Sequence, residues 1–238
     1  MAELSASYGG RMERDLAAPA ALIAEPARAA MLNALMSGHA LAAGELAQVA
    51  RVSRPTASEH LRRLLDGNLV RVVSQGRHRY YRLAGPHVAA ALESLAHLGP
   101  PAPVATLRQA NTANALAFAR TCYDHLAGTC GVALLDALLA GEWLCDHDGG
   151  YGVTTAGERE LVALGIDVAA ARSARRTFAR PCLDWTVRRH HLAGGLGAAI
   201  TTRLLELDWF THRSRDGRAL RMTDTGRERM LALGCVLG

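Results

Sequence analysis

Residues 44–82, GELAQVARVSRPTASEHLRRLLDGNLVRVVSQGRHRYYRL, contain the pattern that most constrains the fold. Apolar residues at helical spacing stand on both sides of a short break, in which Ser53 is suited to cap the second helix and Pro55 to begin it. Alternating apolar and polar residues then predict a β-hairpin. The predicted elements are a helix at 45–50, a turn at 52–55, a helix at 55–65, and strands at 69–73 and 80–83 around a loop at 74–79.

The same segment concentrates positive charge. Between Arg51 and Arg82 there are eight arginines and only two acidic residues, a balance of +6, whereas the whole chain is +5 and the remainder therefore sums to −1. A basic excess confined to one short motif is typical of a surface that contacts nucleic acid. The sequence therefore predicts a winged helix-turn-helix that binds DNA.

The remaining composition narrows the class of protein. Half of the 238 residues are hydrophobic, no run approaches the roughly 18–20 apolar residues of a membrane helix, and the N-terminal residues lack the apolar core of a signal peptide. We therefore expect a cytoplasmic protein without membrane contact. Five cysteines, at 122, 130, 145, 182 and 235, are then expected to be free thiols or ligands rather than a disulfide framework.

The chain is predicted to have two parts. Residues 12–98 form the DNA-binding and dimerisation domain, in which helices at 12–24 and 86–98 flank the motif, and the proline-rich segment 99–106 is a linker. Residues 107–238 contain an internal duplication, with repeats at about 116–170 and 178–238. Cys122 and Asp124 match Cys182 and Asp184, and HLAG at 125–128 matches HLAG at 191–194. We expect a mainly α fold with small β-hairpin wings, whose C-terminal half is a tandem of winged-helix-like units, each predicted as helix, hairpin and closing helix.

The residues expected to contact DNA follow from the motif. The second helix of such a motif enters the major groove, and the wing follows an adjacent groove. Arginine can bond guanine edges, while hydroxyl and amide groups can bond bases or phosphates. The predicted DNA-binding residues are Ser53, Arg54, Thr56, Ser58, Glu59, His60, Arg62, Gln75, Arg77, His78 and Arg79.

A family resemblance follows from these residues. Residues 26–98, through PARAAMLNAL and the 44–82 stretch, resemble the winged-helix domain of ArsR/SmtB-type bacterial repressors. The resemblance covers about a third of the chain. It implies a homodimer that represses transcription from operator DNA until an inducer, often a thiophilic metal ion, releases it.

The resemblance does not extend to the family's usual metal sites. Many of its metal sensors carry a Cys-Val-Cys-type element in the first motif helix, where this chain has GELAQVAR. The helix after the wing holds His87 and His97 without acidic partners at the usual spacing. The long duplicated half has no equivalent in a minimal family member, so any sensor must be sought there.

The duplicated half offers two kinds of ligand site. Thiolate and imidazole groups are preferred by soft and borderline metals, and packing of the repeats about a pseudo-twofold axis would bring together Cys122, His125, Cys182 and either His190 or His191. We predict a thiophilic or borderline divalent ion such as zinc, or redox chemistry at the thiols. A pocket for a small organic inducer bordered by Trp143, Trp185 and Trp209 is the second hypothesis. The third is a purely structural C-terminal half that widens the dimer or contacts another protein.

The chain has no Gly-rich phosphate loop, no G-x-S-x-G and no H-E-x-x-H motif, so we expect a protein that is not an enzyme. The predicted function is a DNA-binding transcriptional regulator, a ligand- or metal/thiol-responsive repressor. The alternative is a DNA-bound architectural or partner-recruiting protein without small-molecule input.

Overall fold

The computed structural model describes residues 15–76, 78–99, 105–214 and 217–237, apart from the side chain of residue 97. Its N-terminal part consists of five helices and a small sheet. The elements are α1 (Ala17–Ile23), α2 (Pro26–Leu35), β1 (Leu41–Ala42), α3 (Ala43–Ala50), α4 (Arg54–Asp66), β2 (Val70–Gln75), β3 (His78–Leu83) and α5 (Pro86–Leu98).

These elements build a winged helix-turn-helix around one hydrophobic core. The strands form an antiparallel sheet in the order β1-β3-β2, and leucine and methionine side chains from α2, α3 and α4 pack beneath it. Arg51 ends α3 in the left-handed conformation, at φ 56°, and the chain turns there into α4. The predicted motif is confirmed, with α4 one residue longer at each end than the sequence indicated.

The C-terminal part contains the duplication in full. The elements are α6 (Leu107–Phe118), β4 (Arg120–Cys122), β5 (His125–Ala127), α7 (Thr129–Ala140), β6 (Leu144–His147), β7 (Gly150–Val153), α8 (Thr155–Ala163), α9 (Val168–Ser173), β8 (Arg180–Leu183), β9 (His190–Ala193), α10 (Gly194–Glu206), β10 (Phe210–His212), β11 (Leu220–Met222) and α11 (Asp224–Ala232). The antiparallel pairs are β4-β5, β6-β7, β8-β9 and β10-β11. Each repeat therefore runs hairpin, helix, hairpin, helix.

The predicted order within each repeat was wrong in one respect. Each repeat was predicted to contain one hairpin, preceded by a helix, but the Cys-x-Asp segments lie in additional short antiparallel hairpins, β4-β5 and β8-β9. The helix that precedes the second hairpin of each repeat, α7 or α10, corresponds in order to a recognition helix. Both helices lie mostly buried in the shared core of the two repeats. This leaves α4 as the exposed helix of recognition type in the described part of the chain.

The two repeats pack against each other through reciprocal contacts. A Cβ atom on Gly131 of α7 would lie 3.4 Å from the Cβ of His191, and one on Gly197 of α10 would lie 3.4 Å from the Cβ of His125. The same added atoms would lie only 2.4 Å from the carbonyl oxygens of Leu126 and Leu192. Glycine at both positions thus lets each helix approach the carbonyl of its own hairpin, while the reciprocal contacts with His191 and His125 are as expected of two copies related by an approximate twofold axis.

The proposed linker, 99–106, lies mostly outside the described residues, as do residues 12–14 of the first predicted helix. Within the described ranges, no helix has both the length and the apolar character needed to cross a bilayer.

Candidate nucleic-acid interface and metal centre

The recognition helix α4 begins with a side-chain cap. Ser53 Oγ accepts a hydrogen bond from the backbone N–H of Thr56 at 3.3 Å and lies 2.7 Å from Thr56 Oγ1. Ser58 Oγ donates to the carbonyl of Arg54, one turn earlier. Four predicted DNA-binding residues are exposed together at this end of the helix: Ser53, Arg54, Thr56 and Ser58.

Further along α4, the charged side chains form a ladder. Glu59 accepts hydrogen bonds from Arg62 and from Arg63, and Arg62 also donates to Asp66 at 2.9 Å. Hydrogen bonds from Arg62 and then Arg63 lower the pKa of Glu59 to about 2. Arg62 is exposed, but its charge is locally offset by two carboxylates.

The expectation that His60 belongs to the exposed, groove-facing set was wrong. Its side chain is only 15% exposed, and Nδ1 lies 3.6 Å from Glu25 at the start of α2 and 3.5 Å from Arg28 Nη1. Position 60 lies on the side of α4 that faces α2, roughly opposite to Ser58 and Arg62 on the helix.

The wing is longer in its strands and shorter in its loop than predicted. Gln75 pairs with His78, so only two residues separate β2 from β3, and Arg79 pairs with Ser74. Gln75, His78 and Arg79 are exposed near the tip. Arg77, also predicted to contact DNA, lies outside the described residues.

The second candidate site joins the two repeats. Cys122 and His125 are cross-strand partners in the β4-β5 hairpin, and Cys182 and His191 are cross-strand partners in β8-β9. All four residues are buried, and one potential ligand atom from each lies within 4.8 Å of the others. These four residues are called the Cys/His cluster below.

The spacing within the Cys/His cluster is close to that of a tetrahedral ion site. The sulfur atoms of Cys122 and Cys182 are 4.0 Å apart. Zinc bonds of about 2.3 Å to sulfur and about 2.0–2.1 Å to nitrogen would separate ligand atoms by roughly 3.3–3.8 Å. Within the protein, Nε2 of His125 and Nε2 of His191 are buried without hydrogen-bond partners, so both are free to act as ligand atoms.

A carboxylate lies beside the other nitrogen of each imidazole. Asp124 Oδ1 is 3.3 Å from His125 Nδ1, and Asp184 Oδ2 is 3.4 Å from His191 Nδ1. Such carboxylates orient metal-bound imidazoles and increase their basicity. The arrangement is similar in the two repeats, but only the Asp124–His125 contact is a hydrogen bond, whereas His191 Nδ1 has no hydrogen-bond partner among the described residues. The aspartate adjoins its histidine in the first repeat and stands seven residues before it in the second.

Each of these aspartates is fixed by an arginine from another part of the C-terminal half. Buried Arg120 donates to Asp184 at 2.9 Å, and Arg176 donates to both carboxylate oxygens of Asp124. Asp184 also accepts from the backbone N–H of Gly128 at 2.7 Å. Burial raises the pKa of Asp184, but the charge of Arg120 and these hydrogen bonds outweigh it and hold the pKa at about 2.

The environment favours thiolate at Cys182. The hydrogen bond between the two thiols lowers the pKa of Cys182 and outweighs the effect of burial, and His125 and His191 lower it further. The same hydrogen bond, together with burial, raises the pKa of Cys122. Burial lowers the pKa of His191, whereas at His125 the hydrogen bond to Asp124 and the nearby Cys182 sulfur overcome burial and raise it.

Solvent reaches the edge of the Cys/His cluster at Cys182, which is 8% exposed. A cleft of about 280 Å³ opens there between α5 and β8. Its lining residues are Ala90, Ser94, Arg180, Pro181, Cys182 and Leu183. The cleft therefore borders the Cys/His cluster at Cys182.

The open choice between His190 and His191 is settled in favour of His191 by the strand register. His191 lies opposite Cys182, whereas His190 lies opposite Leu183 and is exposed outside the cluster, so its inclusion among the predicted ligands was wrong. Adjacent residues of a strand point to opposite faces.

The three tryptophans have separate surroundings. Trp143 and Trp209 pack with the core of the C-terminal half, while the guanidinium carbon of Arg120 lies over the Trp185 ring, 4.6 Å from the ring centroid. The cavity that Trp143 lines is completed by aliphatic side chains and Arg203, without the other two. A pocket bordered by all three therefore has no support from this arrangement.

The remaining cysteines lie outside the Cys/His cluster. All five are free thiols, as expected. Burial raises the pKa of Cys130 to about 12 and that of Cys235 to about 11, so neither is a reactive thiolate at neutral pH. Cys145 is exposed in β6.

Sequence reasoning missed the roles of Asp124, Asp184, Arg120 and Arg176. The repeated Cys-x-Asp spacing was a signal for the two aspartates. No sequence signal identifies the arginines, because Arg120 is 64 residues from Asp184 and Arg176 is 52 residues from Asp124.

Comparison with known proteins agrees with the geometry of the N-terminal part. A family model described as a helix-turn-helix domain matches residues 23–73. The chain is 42% identical over 216 residues to an uncharacterized HTH-type transcriptional regulator, YdfF of Bacillus subtilis (strain 168), covering 91% of this chain and 95% of the relative.

Two solved structures that the chain resembles match little more than a third of it. The cadmium metal-sensor CMTR from Mycobacterium tuberculosis is 31% identical, with 39% of this chain and 100% of that chain covered and a TM-score of 0.31. NolR from Sinorhizobium fredii is 27% identical, with 34% and 81% covered and a TM-score of 0.32.

The length and identity of the YdfF match, together with the helix-turn-helix match, indicate a regulator of transcription rather than an enzyme. The chain belongs to the HTH-type transcriptional regulators.

Proposed function

We propose that this regulator is a metal-responsive repressor, which binds operator DNA as a homodimer and releases it when a divalent ion occupies the Cys/His cluster. The observation that carries the proposal is the convergence of four buried thiol and imidazole groups from two repeats, with both Nε2 atoms lacking a protein partner. A buried polar atom without a partner is costly unless something else satisfies it.

Zinc is the ion that this donor set fits best. Two sulfur and two nitrogen ligands suit a tetrahedral borderline ion, and oxygen-preferring ions such as Mg²⁺ are disfavoured. The carboxylates of Asp124 and Asp184 lie beside Nδ1 of His125 and of His191, and the neighbours of Cys182 lower the pKa of its thiol. A bound ion would connect the hairpins of the two repeats.

Operator binding is assigned to the exposed start of α4 and to the wing. Arg54 with its neighbouring hydroxyl groups faces solvent, and Gln75, His78 and Arg79 extend the same basic surface along the hairpin. Helix insertion in the major groove, with the wing beside it, accounts for the local charge of the motif. Arg77 remains part of this proposal from sequence alone.

Homodimerisation is supported by apolar side chains that face solvent on the flanking helices. Leu95 and Leu98 of α5 are 44% and 82% exposed, and Leu16, next to α1, is 78% exposed. A second copy that covers them would present two recognition helices to paired half-sites.

The free thiols fit the reducing cytoplasm, where we place the protein.

The test is operator affinity with and without zinc. DNA from the chain's own upstream region is titrated by fluorescence anisotropy with protein that is metal-free or zinc-loaded. We expect zinc to weaken binding by about 5- to 150-fold, the usual range of allosteric coupling. Cys182→Ser should abolish the response, while Cys145→Ser, at an exposed cysteine outside the cluster, should retain it.

Equal operator affinity in the two states, despite zinc binding, would contradict the repressor mechanism. It would favour the alternative of a DNA-bound architectural or partner-recruiting protein. An equal zinc response in the Cys182→Ser variant would instead place the metal elsewhere.

A further inference from the structure

One residue of the metal-site hairpin lies inside the DNA-binding domain. Tyr123 stands between Cys122 and Asp124 in the turn that joins β4 to β5, yet its side chain is only 6% exposed and belongs to the hydrophobic core of the winged helix. Its backbone is left-handed, at φ +62°, which is uncommon for a residue with a large side chain. The turn thus directs two ligands towards the Cys/His cluster and the ring between them into the neighbouring core.

Three further contacts hold Tyr123 in place. Its backbone N–H donates to the carbonyl of Met36 at 3.1 Å, and Arg82 of β3 donates to its hydroxyl at 3.2 Å. Its own carbonyl packs against Gly38, where an added Cβ would lie 2.4 Å from the oxygen. Gly38 is therefore required for the close approach of the hairpin to the segment after α2.

The elements that receive Tyr123 also carry the DNA-binding surface. Arg82 lies in the wing strand β3, whose other end carries His78 and Arg79. Met36 directly follows α2, which packs against α3 and α4 in the core. A shift of the Tyr123 ring would therefore change the contacts of wing strand β3 and of the core against which α4 packs.

A second connection reaches the same hairpin from α5. Glu93 is 4% exposed and accepts a hydrogen bond from Arg218 at 3.2 Å. The backbone carbonyl of Arg218 in turn accepts from Thr121, the residue before Cys122. The hairpin is thus tied to α5 as well as to the core beneath the wing.

We propose that Tyr123 is the residue that couples the Cys/His cluster to the DNA-binding domain. Coordination by Cys122 and His125 would fix both sides of the turn and thereby select one position of the ring in the winged-helix core. This inference rests on the proposed metal response, and it requires that the ring be placed differently in the metal-free and metal-bound states. Tyr123 would then act on DNA affinity without touching either the ion or the DNA.

The test separates zinc affinity from the effect of zinc on DNA. Zinc dissociation constants are measured by competition with a chromophoric chelator, and operator affinity is measured by anisotropy with and without zinc. The variants are Tyr123→Ala, which removes the ring, and Tyr123→Phe, which removes only the Arg82 hydrogen bond. Tyr151→Ala serves as the matched control, since Tyr151 lies in the other hairpin of the same repeat, in β7.

For Tyr123→Ala we expect zinc affinity within about threefold of wild type and an operator response reduced to less than about threefold, against a wild-type response of about 5- to 150-fold. Tyr123→Phe should keep most of the response, because the ring remains in the core. Tyr151→Ala should respond as wild type. If Tyr123→Ala does not fold, Tyr123→Leu takes its place, because it keeps an apolar side chain in the core but removes the ring. A response below about threefold in that variant, with zinc affinity unchanged, supports the proposal, and a full response overturns it.

A full response in Tyr123→Ala would overturn the coupling role while leaving the metal response intact. Loss of zinc affinity in that variant would make Tyr123 a supporting residue of the metal site and would also overturn the coupling role. If zinc does not change the operator affinity of the wild-type chain, the proposed function is refuted. The coupling role, which depends on it, is then refuted as well.

Discussion

Each imidazole of the Cys/His cluster has its Nδ1 beside a carboxylate, and its Nε2 is buried without a hydrogen-bond partner among the described residues. The geometry depends on single residues, because the cross-strand pairs Cys122–His125 and Cys182–His191 set which side chains meet. The sequence predicted Cys122, His125 and Cys182, but it left two adjacent histidines as alternatives. Strand register decided between them, and register depends on pairing that a single sequence specifies poorly when strands are short.

The two histidines therefore provide a matched pair of substitutions. His191→Gln removes a buried ligand, whereas His190→Gln changes an exposed neighbour on the opposite face of the strand. We expect His191→Gln to weaken zinc binding by at least about 100-fold, and His190→Gln by less than about threefold, because imidazole is a far better zinc ligand than a carboxamide. Chelator competition measures both. Equal losses in the two variants would show that the assigned register is wrong.

Secondary-structure elements differed in how well their sequences predicted them. Helix α4 was predicted within one residue at each end because a serine cap, a proline and helical spacing all agree. The β4-β5 and β8-β9 hairpins were missed because strands of three or four residues carry too little alternation to be distinguished from a helix start. Their formation depends on packing between the repeats, which local sequence does not report.

The charge ladder on α4 leads to a prediction for DNA affinity. Glu59→Gln removes the carboxylate that binds Arg62 and Arg63, so we expect tighter operator binding and a steeper salt dependence, by about one unit in the log–log slope for one added phosphate contact. Salt-dependent anisotropy measures both. Glu158→Gln, an equal charge change on exposed α8, is the control and should have no effect.

At the other end of the recognition surface, Arg54→Ala should weaken operator binding, by about 1–3 kcal/mol if its contact is to a base. Weaker binding in the Glu59→Gln variant, or unchanged binding in the Arg54→Ala variant, would contradict the proposed orientation of α4 on DNA.

At the scale of the whole molecule, the Cys/His cluster lies where three parts of the chain meet. Each repeat contributes one hairpin, and the turn of the first hairpin enters the winged-helix core through Tyr123. The sequence revealed the duplication and the motif, because both depend on local pattern. It could not reveal the docking of the parts, since Tyr123 contacts Met36 and Arg82 across long separations in the chain.

An ion shared by the two repeats should stabilise the folded chain. Zinc at 100 times its dissociation constant contributes about 2.7 kcal/mol to the free energy of unfolding if the unfolded chain does not bind it. For a chain of this length that corresponds to a rise in Tm of about 5–10 °C. Differential scanning fluorimetry should show this rise for wild type and for Cys145→Ser. A similar rise in Cys182→Ser would argue against an ion held by both repeats.

The coordination of zinc in the purified chain is the most direct measurement of the central claim. X-ray absorption at the zinc edge should show two sulfur neighbours at about 2.3 Å and two nitrogen neighbours at about 2.0–2.1 Å. Cys182→Ser should lose one sulfur neighbour. A zinc ion surrounded only by oxygen and nitrogen, or a chain that retains no zinc, would contradict the assignment of the Cys/His cluster as the metal centre.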